Sequence, residues 1–284
     1  MPEVESLARF LTQKCVGHAI ARIDLVAFSA LKTYDPPLSA LTGLEVEGVS
    51  RHGKFLDISA QGLHLVFHLA RAGWLRWKDA QPEQPPKPGR GPLSLRLRLD
   101  DGSGFDLTEA GTQRKLAVHV VADPMSIPMV ATLGPDPLTD DFDQQALEAL
   151  LKASGRAQLK GVLKDQRIIA GIGNAYSDEI LHAAKLSPFK PANSLSEAEL
   201  STLFRAVKDE LSGAIQRAEG LAAKDLKSEK KSGLRVHGRK GEICDVCGDT
   251  IAEVSFADSS LQYCPTCQTG GKKLADRRLS KLLK

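Results

Sequence analysis

The sequence predicts a multidomain α+β protein: a β-sandwich with flanking helices, then a helical region, then a short segment rich in cysteine. Residues 20–122 alternate apolar and polar positions in the manner of strands, whereas residues 140–223 have the spacing of helices. A chain of 284 residues is long enough for two domains that each have their own core. Its apolar fraction of 42% is typical of a globular protein.

The first helix is predicted to begin at Pro2, because a proline in the first turn of a helix loses no hydrogen bond. Glu3 and Glu5 are favourable beside the positive end of the helix dipole, and apolar residues follow at helical spacing. Four strands stand out in the alternating region, and residues 100–104 (DDGSG) predict a turn after the last of them. These strands cover residues 23–26, 44–47, 63–67 and 93–99.

Proline and glycine mark the boundaries between the regions. The segment QPEQPPKPGRGP (81–92) predicts a surface loop, and LGPDPL (133–138) predicts a hinge after the sandwich. We therefore expect four regions along the chain. They are a sandwich domain over 1–135, a helical domain over 139–223, a loop and linker over 224–240, and a cysteine-rich segment with a basic tail over 241–284.

The net charge of +3 is unevenly distributed. Residues 224–284 hold 13 Lys and Arg against 8 Asp and Glu, a charge of +5, which leaves −2 on the first 223 residues. A basic end on a nearly neutral body indicates a polyanionic partner, although a solvated charged tail has the same composition. No apolar run is long enough to span a bilayer, and the acidic N-terminus does not resemble a signal peptide. We therefore expect a soluble cytoplasmic protein.

Four of the five cysteines form two close pairs that predict a structural zinc site. A C-x2-C turn presents two thiolates to one ion, and four protein thiolates leave no coordination position for a substrate water. Two disulfides are the alternative, but they require an oxidising compartment that nothing else in the sequence indicates. The predicted ligands are Cys244, Cys247, Cys264 and Cys267, and the basic residues that favour nucleic acid over a protein partner are Lys272, Lys273, Arg277, Arg278 and Lys281.

The segment GIGNAYSDEILHAA (171–184) predicts a tight turn followed by a helix. Gly171 and Gly173 permit backbone conformations that other residues resist, and Asn174 is a favourable N-cap residue. The N–H groups at such a helix start can bind a phosphate, although an ordinary helix cap has the same pattern. The preceding helical segment, 159–170, is basic and completes a helix–turn–helix element suited to a DNA backbone.

Taken together, these motifs resemble the formamidopyrimidine-DNA glycosylase / endonuclease VIII family of base-excision repair enzymes. The resemblance implies a helix–two-turn–helix motif in the helical domain, one structural Zn²⁺, and damaged double-stranded DNA bound by a monomer, with the protein associated with the nucleoid. Members extrude a damaged base, cut its glycosidic bond and nick the backbone by β-elimination. The motifs are RHGKFL (51–56), LVFHL (65–69), LGPDPL (133–138), LKGVLKDQRIIAGIGNAYSDEIL (159–181), VHGRKGEIC (236–244) and YCPTCQ (263–268).

The resemblance also implies residue roles. The catalytic residues would be Pro2 as the nucleophile, freed by removal of Met1, Glu3 for proton transfer, and Lys54 near the sugar and phosphate of the lesion. Lys160 and Asn174 would bind phosphates. Arg71 and Arg114 would fill the space left by the extruded base, with Leu116 at a position where the family has Phe. Ser259 replaces an arginine that assists a second elimination in the family, so β-elimination is expected to dominate.

The N-terminus is three residues shorter than the usual family start, so Pro2-Glu3 aligns with either of two Pro-Glu pairs. Two functions therefore remain open. The first is a bifunctional glycosylase and abasic-site lyase, and the alternative is a non-catalytic homologue that binds lesions or abasic sites.

Overall fold

The computed structural model describes residues 1–87, 91–111, 113–257 and 259–275. These residues divide into two compact units. The sandwich unit contains Pro2–Thr132 and Ala218–Ser228. The helical unit contains Met1, Leu133–Arg217 and the described residues from Glu229 onward.

The sandwich unit contains two four-stranded antiparallel sheets, as the alternating sequence predicts. One sheet pairs the first, sixth, seventh and fifth strands of the chain in that order, and the other pairs the second, third, fourth and eighth. The apolar residues of both sheets meet in one core, which also contains Leu7 and Leu11 of the leading helix. The elements are α1 (Pro2–Cys15), β1 (Ile20–Leu25), β2 (Val46–His52), β3 (Phe55–Ala60), β4 (Leu63–His68), β5 (Gly73–Lys78), β6 (Leu93–Leu99), β7 (Gly104–Glu109), β8 (Ala117–Val121) and α2 (Pro128–Ala131).

The helical unit has its own core, built from the apolar faces of its helices. Asp143 caps the first of them by accepting a hydrogen bond from the amide of Ala146 at 2.7 Å. Cys244 and Cys247 precede a two-stranded hairpin, and Cys264 and Cys267 lie at the start of the short helix that follows it. The elements are α3 (Gln144–Ala153), α4 (Leu159–Lys164), α5 (Asn174–Ala183), α6 (Glu197–Arg217), α7 (Leu226–Gly233), β9 (Ala252–Ser255), β10 (Ser260–Tyr263) and α8 (Pro265–Thr269).

The observed division of the chain differs from the four predicted regions. The interval 224–240, predicted as a loop and linker, contains helix α7. Its start belongs to the sandwich unit because Ala223 and Leu226 are buried in that core, and the indole N–H of Trp74 donates to the carbonyl of Ala223 at 3.1 Å. The cysteine-rich segment is part of the helical unit and not a separate domain.

Arg277, Arg278 and Lys281, predicted as part of a basic tail, lie outside the described residues. Among the described residues, no helix has the length and apolar character that a membrane span requires.

Candidate active site and zinc centre

The four predicted zinc ligands converge. The thiol sulfurs of Cys244, Cys247, Cys264 and Cys267 all lie within 4.8 Å of one another, with 3.3 Å between Cys247 Sγ and Cys264 Sγ. This arrangement fits a tetrahedral ion with four thiolate ligands, and it leaves no ligand position for a reacting water. The residues present therefore suit a structural zinc ion.

The predicted turn before α5 is present, but Asn174 does not cap the helix. Gly171 has a positive φ of 85° that favours glycine. The N-cap residue is Gly173, which has no side chain to cap the helix. Asn174 is the first helical residue, and its amide Nδ2 donates to the carbonyl of Ser260 at 2.8 Å. The asparagine therefore ties the start of α5 to the hairpin that precedes Cys264.

Lys160 lies against the first turn of α5 and is only 6% exposed. Its ammonium donates to the carboxylate of Asp178 at 2.6 Å, to the hydroxyl of Ser177 at 2.9 Å and to the carbonyl of Asn174 at 3.1 Å. A lysine ammonium has three N–H donors, and these three acceptors match them. In this arrangement the ammonium stabilises the first turn of α5. The phosphate contact that the family resemblance implies for Lys160 stays a prediction.

Two adjacent carboxylates of α5 hold the segment that leads to the cysteines. Glu179 accepts backbone hydrogen bonds from Arg235 at 2.8 Å, Val236 at 3.1 Å and His237 at 2.8 Å. Asp178, which is fully buried, accepts from the ring Nδ1 of His237 at 2.7 Å. These contacts satisfy backbone donors that would otherwise be costly to bury.

In the sandwich unit, Pro2 and Glu3 form the first turn of α1, as predicted. Pro2 is buried and Glu3 is half-buried. Glu5 anchors this turn, because its carboxylate pairs with Arg51 Nε at 3.0 Å, and Arg51 Nη1 also donates to the carbonyl of Gly53 at 2.8 Å. Arg51 thus joins the start of α1 to the β2–β3 hairpin that carries Lys54.

Charges and burial near the start of α1 and the β2–β3 hairpin lower the pKa values of Glu5 and His68, so Glu5 is charged and His68 is neutral near pH 7. Burial alone raises the pKa of Glu5, but hydrogen bonds and charges from Arg51 and Arg9 outweigh it and hold the pKa below its usual value. Burial, with a smaller effect from the Lys54 ammonium, lowers the pKa of His68 to about 4. Nδ1 of His68 accepts a hydrogen bond from the amide of Ala70 at 3.1 Å.

Strand register brings Lys54, Arg71 and Arg114 to one end of the sandwich. Across β3, β4 and β8, Phe55 pairs with His68 and His68 pairs with Ala117, while Gly73 pairs with Glu109 between β5 and β7. The β2–β3, β4–β5 and β7–β8 connections therefore leave the two sheets at the same end. Lys54 is half-buried in the first connection, and the two arginines are exposed on the other two.

Glu109 positions the connection that carries Arg114. Its carboxylate accepts from the amides of Lys115 at 2.8 Å and Leu116 at 3.1 Å. The side chain of Leu116 is 2% exposed and packs in the sandwich core. In this structure Leu116 is therefore a core residue, and it does not project from the loop as the family resemblance to a void-filling phenylalanine implies.

Three family models match successive parts of the chain. They are the formamidopyrimidine-DNA glycosylase N-terminal domain over 1–116, the formamidopyrimidine-DNA glycosylase H2TH domain over 133–225, and the zinc finger found in FPG and IleRS over 241–270. A formamidopyrimidine-DNA glycosylase from Sphingopyxis alaskensis is 35% identical over 278 residues, which cover 94% of this chain and 98% of the relative. The chain belongs to the formamidopyrimidine-DNA glycosylase family.

Further relatives and solved structures agree with this assignment. An uncharacterized formamidopyrimidine-DNA glycosylase-like protein from Mycobacterium tuberculosis is 59% identical over 157 residues, which cover 55% of this chain and 98% of the relative. The Lactococcus lactis FPG in complex with FAPY-dG containing DNA superposes with a TM-score of 0.82 at 27% identity, covering 94% of this chain and 99% of that one. The MutM (FPG) protein of Thermus thermophilus gives a TM-score of 0.80 at 30% identity, covering 96% and 99%.

As a member of the formamidopyrimidine-DNA glycosylase family, the chain has a helix–two-turn–helix domain and one structural zinc ion. The residues that hold the candidate site residues in place, chiefly Arg51, Glu109 and Glu179, were not predicted from the sequence. Their partners are backbone amides or residues distant in sequence. No spacing pattern signals such contacts, except for the position of Arg51 inside the RHGKFL motif.

Proposed function

We propose that this protein is a bifunctional base-excision repair enzyme that removes oxidised bases from double-stranded DNA and nicks the abasic site by β-elimination. The observation that carries the proposal is one corner of the sandwich unit. There the first turn of α1, with Pro2 and Glu3, is tied through Arg51 to the hairpin of Lys54, beside the ends that carry Arg71 and Arg114. Family relatives with this architecture bind DNA that contains FAPY-dG or carbocyclic 8-oxo-G.

The proposed nucleophile is the amine of Pro2 after removal of Met1. An α-amino group has a reference pKa near 7.7–8.0, so a useful fraction is unprotonated near neutrality. Attack of this amine on the sugar C1′ breaks the glycosidic bond, and the amine proton passes to the departing base. The sugar ring then opens at the C1′–O4′ bond, and the nitrogen lone pair forms a cationic iminium with C1′. That cation draws electrons from the adjacent C2′–H bond, and loss of this proton expels the 3′ phosphate. Glu3 would transfer a proton as the sugar ring opens.

The other candidate residues would contact the DNA. Lys54 would face the sugar and phosphate of the lesion. Asn174 and Lys160, at the start of α5 and against its first turn, would lie beside a phosphate bound near this helix N-terminus. Arg71 and Arg114 can stack on or hydrogen-bond to an orphaned base, because a guanidinium is planar and rich in donors.

One observation favours the alternative, a homologue that binds damaged DNA without cutting it. Met1 is 4% exposed and packs in the core of the helical unit, where its side chain leaves no room for a Cβ on Gly171. While Met1 stays attached, the nitrogen of Pro2 is an amide and not a nucleophile. Removal of Met1 frees the amine and empties the space beside Gly171, so the processing state separates the two functions.

A nicking assay on labelled duplexes tests the enzyme proposal. Duplexes with an abasic site, 8-oxoguanine or an oxidised pyrimidine should be cut by protein whose loss of Met1 is verified by intact mass. Lys54→Ala should lose most of this activity. Lys14→Ala is the matched control, because that exposed lysine lies 12 residues further along α1, about 18 Å from Pro2.

The nature of the products tests the role of position 259. Because Ser259 replaces the finger arginine of the family, the abasic site should yield the β-elimination product, and Ser259→Arg should increase the δ-elimination product. Binding without cleavage of any duplex by the Met1-free protein would support the alternative. Complete δ-elimination by the unmodified chain would contradict the role assigned to Ser259.

We also infer that the protein acts as a monomer in the cytoplasm and associates with the nucleoid when it binds DNA. Its family and the basic balance of residues 224–284 support this inference. Light scattering coupled to gel filtration should give a mass near the 30.6 kDa of one chain.

A further inference from the structure

One face of helix α5 is bound to the cysteine-bearing segment at three successive turns. Asn174, Asp178 and His182 are spaced four residues apart, so their side chains lie on the same face of the helix. Asn174 Nδ2 donates to the carbonyl of Ser260, and Asp178 accepts from the backbone amide of Gln262 at 3.3 Å. The third member of the row, His182, contacts a cysteine.

The imidazole of His182 is 3% exposed, and its Nε2 lies 3.3 Å from the sulfur of Cys244. A zinc-bound cysteine is a thiolate, which can only accept a hydrogen bond, so Nε2 must be the protonated ring nitrogen. The other nitrogen, Nδ1, is fully buried and has no hydrogen-bond partner among the residues that the structure describes. The only polar contact of this ring in the described chain is therefore the one with Cys244.

We propose that His182 is a positioning residue of the zinc site, which donates an Nε2–H···Sγ hydrogen bond to the Cys244 thiolate and thereby links the metal site to helix α5. The bond withdraws charge from the sulfur and fixes its direction toward the other three cysteines. Outer-sphere partners of this kind change metal affinity by about 10–100-fold when they are removed.

Helix α5 links the His182–Cys244 contact, near its C-terminal end, to the glycine turn at its N-terminal end. α5 begins at Asn174, directly after the turn at Gly171 and Gly173, and ends one residue after His182. Helix α5 has ten residues and is about 15 Å long, so a displacement of the helix at His182 also displaces its first turn. Loosening of the Cys244 contact should therefore be detectable as faster amide exchange at the start of α5, even while zinc is bound.

Three variants of the full-length protein separate the hydrogen bond from simple packing. His182→Phe keeps a planar ring and removes the N–H donor. His182→Gln places an amide N–H near the position of Nε2 and should restore the bond. His237→Phe is the matched control, because His237 lies in the same interface and contacts Asp178 but no cysteine.

The first measurements are the rate of zinc transfer to a chromophoric chelator and the thiolate-to-cobalt charge-transfer band of the Co²⁺-substituted protein. A hydrogen bond stabilises the sulfur lone pair and raises the energy of this band. His182→Phe should release zinc about 10–100-fold faster, move the band to lower energy and accelerate amide exchange at residues 174–177. His182→Gln should return the zinc release rate, the band energy and the amide exchange rate toward the values of the unmodified protein. His237→Phe should leave the energy of the band unchanged.

The proposal is wrong if His182→Phe folds with an unmoved band and a zinc release rate within twofold of the unmodified protein. It is equally wrong if His182→Gln matches His182→Phe, or if His237→Phe shifts the band as much. Should His182→Phe fail to fold, the ¹⁵N shifts of the ring in the unmodified zinc protein decide the matter. Protonation at Nε2 supports the hydrogen bond, and protonation at Nδ1 alone overturns it.

Discussion

Lys160→Met should destabilise the helical unit severely, because it removes one partner of a buried ion pair and leaves the other charged. The ammonium is 2.6 Å from the carboxylate of Asp178, and neither residue is appreciably exposed. At an effective dielectric constant near 20, two charges at that distance attract by about 6 kcal/mol. Burying each ion costs several kcal/mol, so the intact pair contributes little net stability. Removing one partner alone should cost about 3–5 kcal/mol.

A double-mutant cycle tests this reasoning. Asp178→Asn alone should also be destabilising, because Lys160 then lacks its counter-ion, while Lys160→Met combined with Asp178→Asn should be milder than the sum by about 2–3 kcal/mol. Lys164→Met is the control, since this lysine is exposed on the same helix and its loss should change stability by less than about 0.5 kcal/mol.

The assay is denaturant unfolding followed by the circular dichroism of the helices. Both tryptophans of the chain, Trp74 and Trp77, lie in the sandwich unit, so their fluorescence provides an internal reference for a unit that the substitutions do not touch. Additive losses, or a loss below about 1 kcal/mol for Lys160→Met, would refute the assignment of Lys160 as a buried support of the turn.

Three further predictions concern acid stability, close packing and the metal. Burial alone raises the pKa of Asp106, but Arg96 and Lys78 outweigh it and lower the pKa, so the stability of the sandwich should fall as pH drops below the unfolded value near 3.8. Asp106→Asn should be less stable at neutral pH, and its stability should change less with pH in acid, as denaturant unfolding followed by tryptophan fluorescence will measure. An equal dependence of stability on pH in the two proteins would contradict this. Gly134→Ala should cost the helical unit about 1–3 kcal/mol in the dichroism assay, because the new Cβ would lie 2.4 Å from the carbonyl oxygen of Ile168; an unchanged midpoint would disprove the close approach. Chelation of zinc should lower the unfolding midpoint of the helical unit, and restoring zinc should reverse the change. The reason is that the free energy of metal binding at such a site contributes directly to the free energy of folding. A midpoint that does not change with chelator would exclude a structural ion.

The features that the sequence predicted correctly depend on short-range patterns. Alternation of apolar and polar residues is a local consequence of strand geometry, so the two sheets could be predicted. The C-x2-C spacing likewise contains its own chemistry, and four cysteines meet as expected. Gly171 has the positive φ that the turn prediction requires.

The features that local patterns could not predict depend on partners far away in the sequence. Asn174 is a residue type that favours the N-cap position, but its side-chain amide donates to the carbonyl of Ser260, 86 residues later. The family resemblance implies a phosphate contact for Lys160, and no local pattern predicts its buried ion pair with Asp178, which lies 18 residues later. The 224–240 interval has a loop-like composition, but a core partner for Leu226 exists only after the sandwich has formed. Tertiary contacts of this kind override local propensity.

Borohydride trapping shows whether the nitrogen of Pro2 forms the covalent bond to the DNA. Protein with Met1 removed should be incubated with an abasic-site duplex and borohydride, and the adduct should be located by mass spectrometry of its peptides. A reduced adduct on Pro2 is expected in that protein, and none is expected in protein that retains Met1. An adduct on Lys54 or any other lysine, or no adduct from Met1-free protein that binds the duplex, would contradict it.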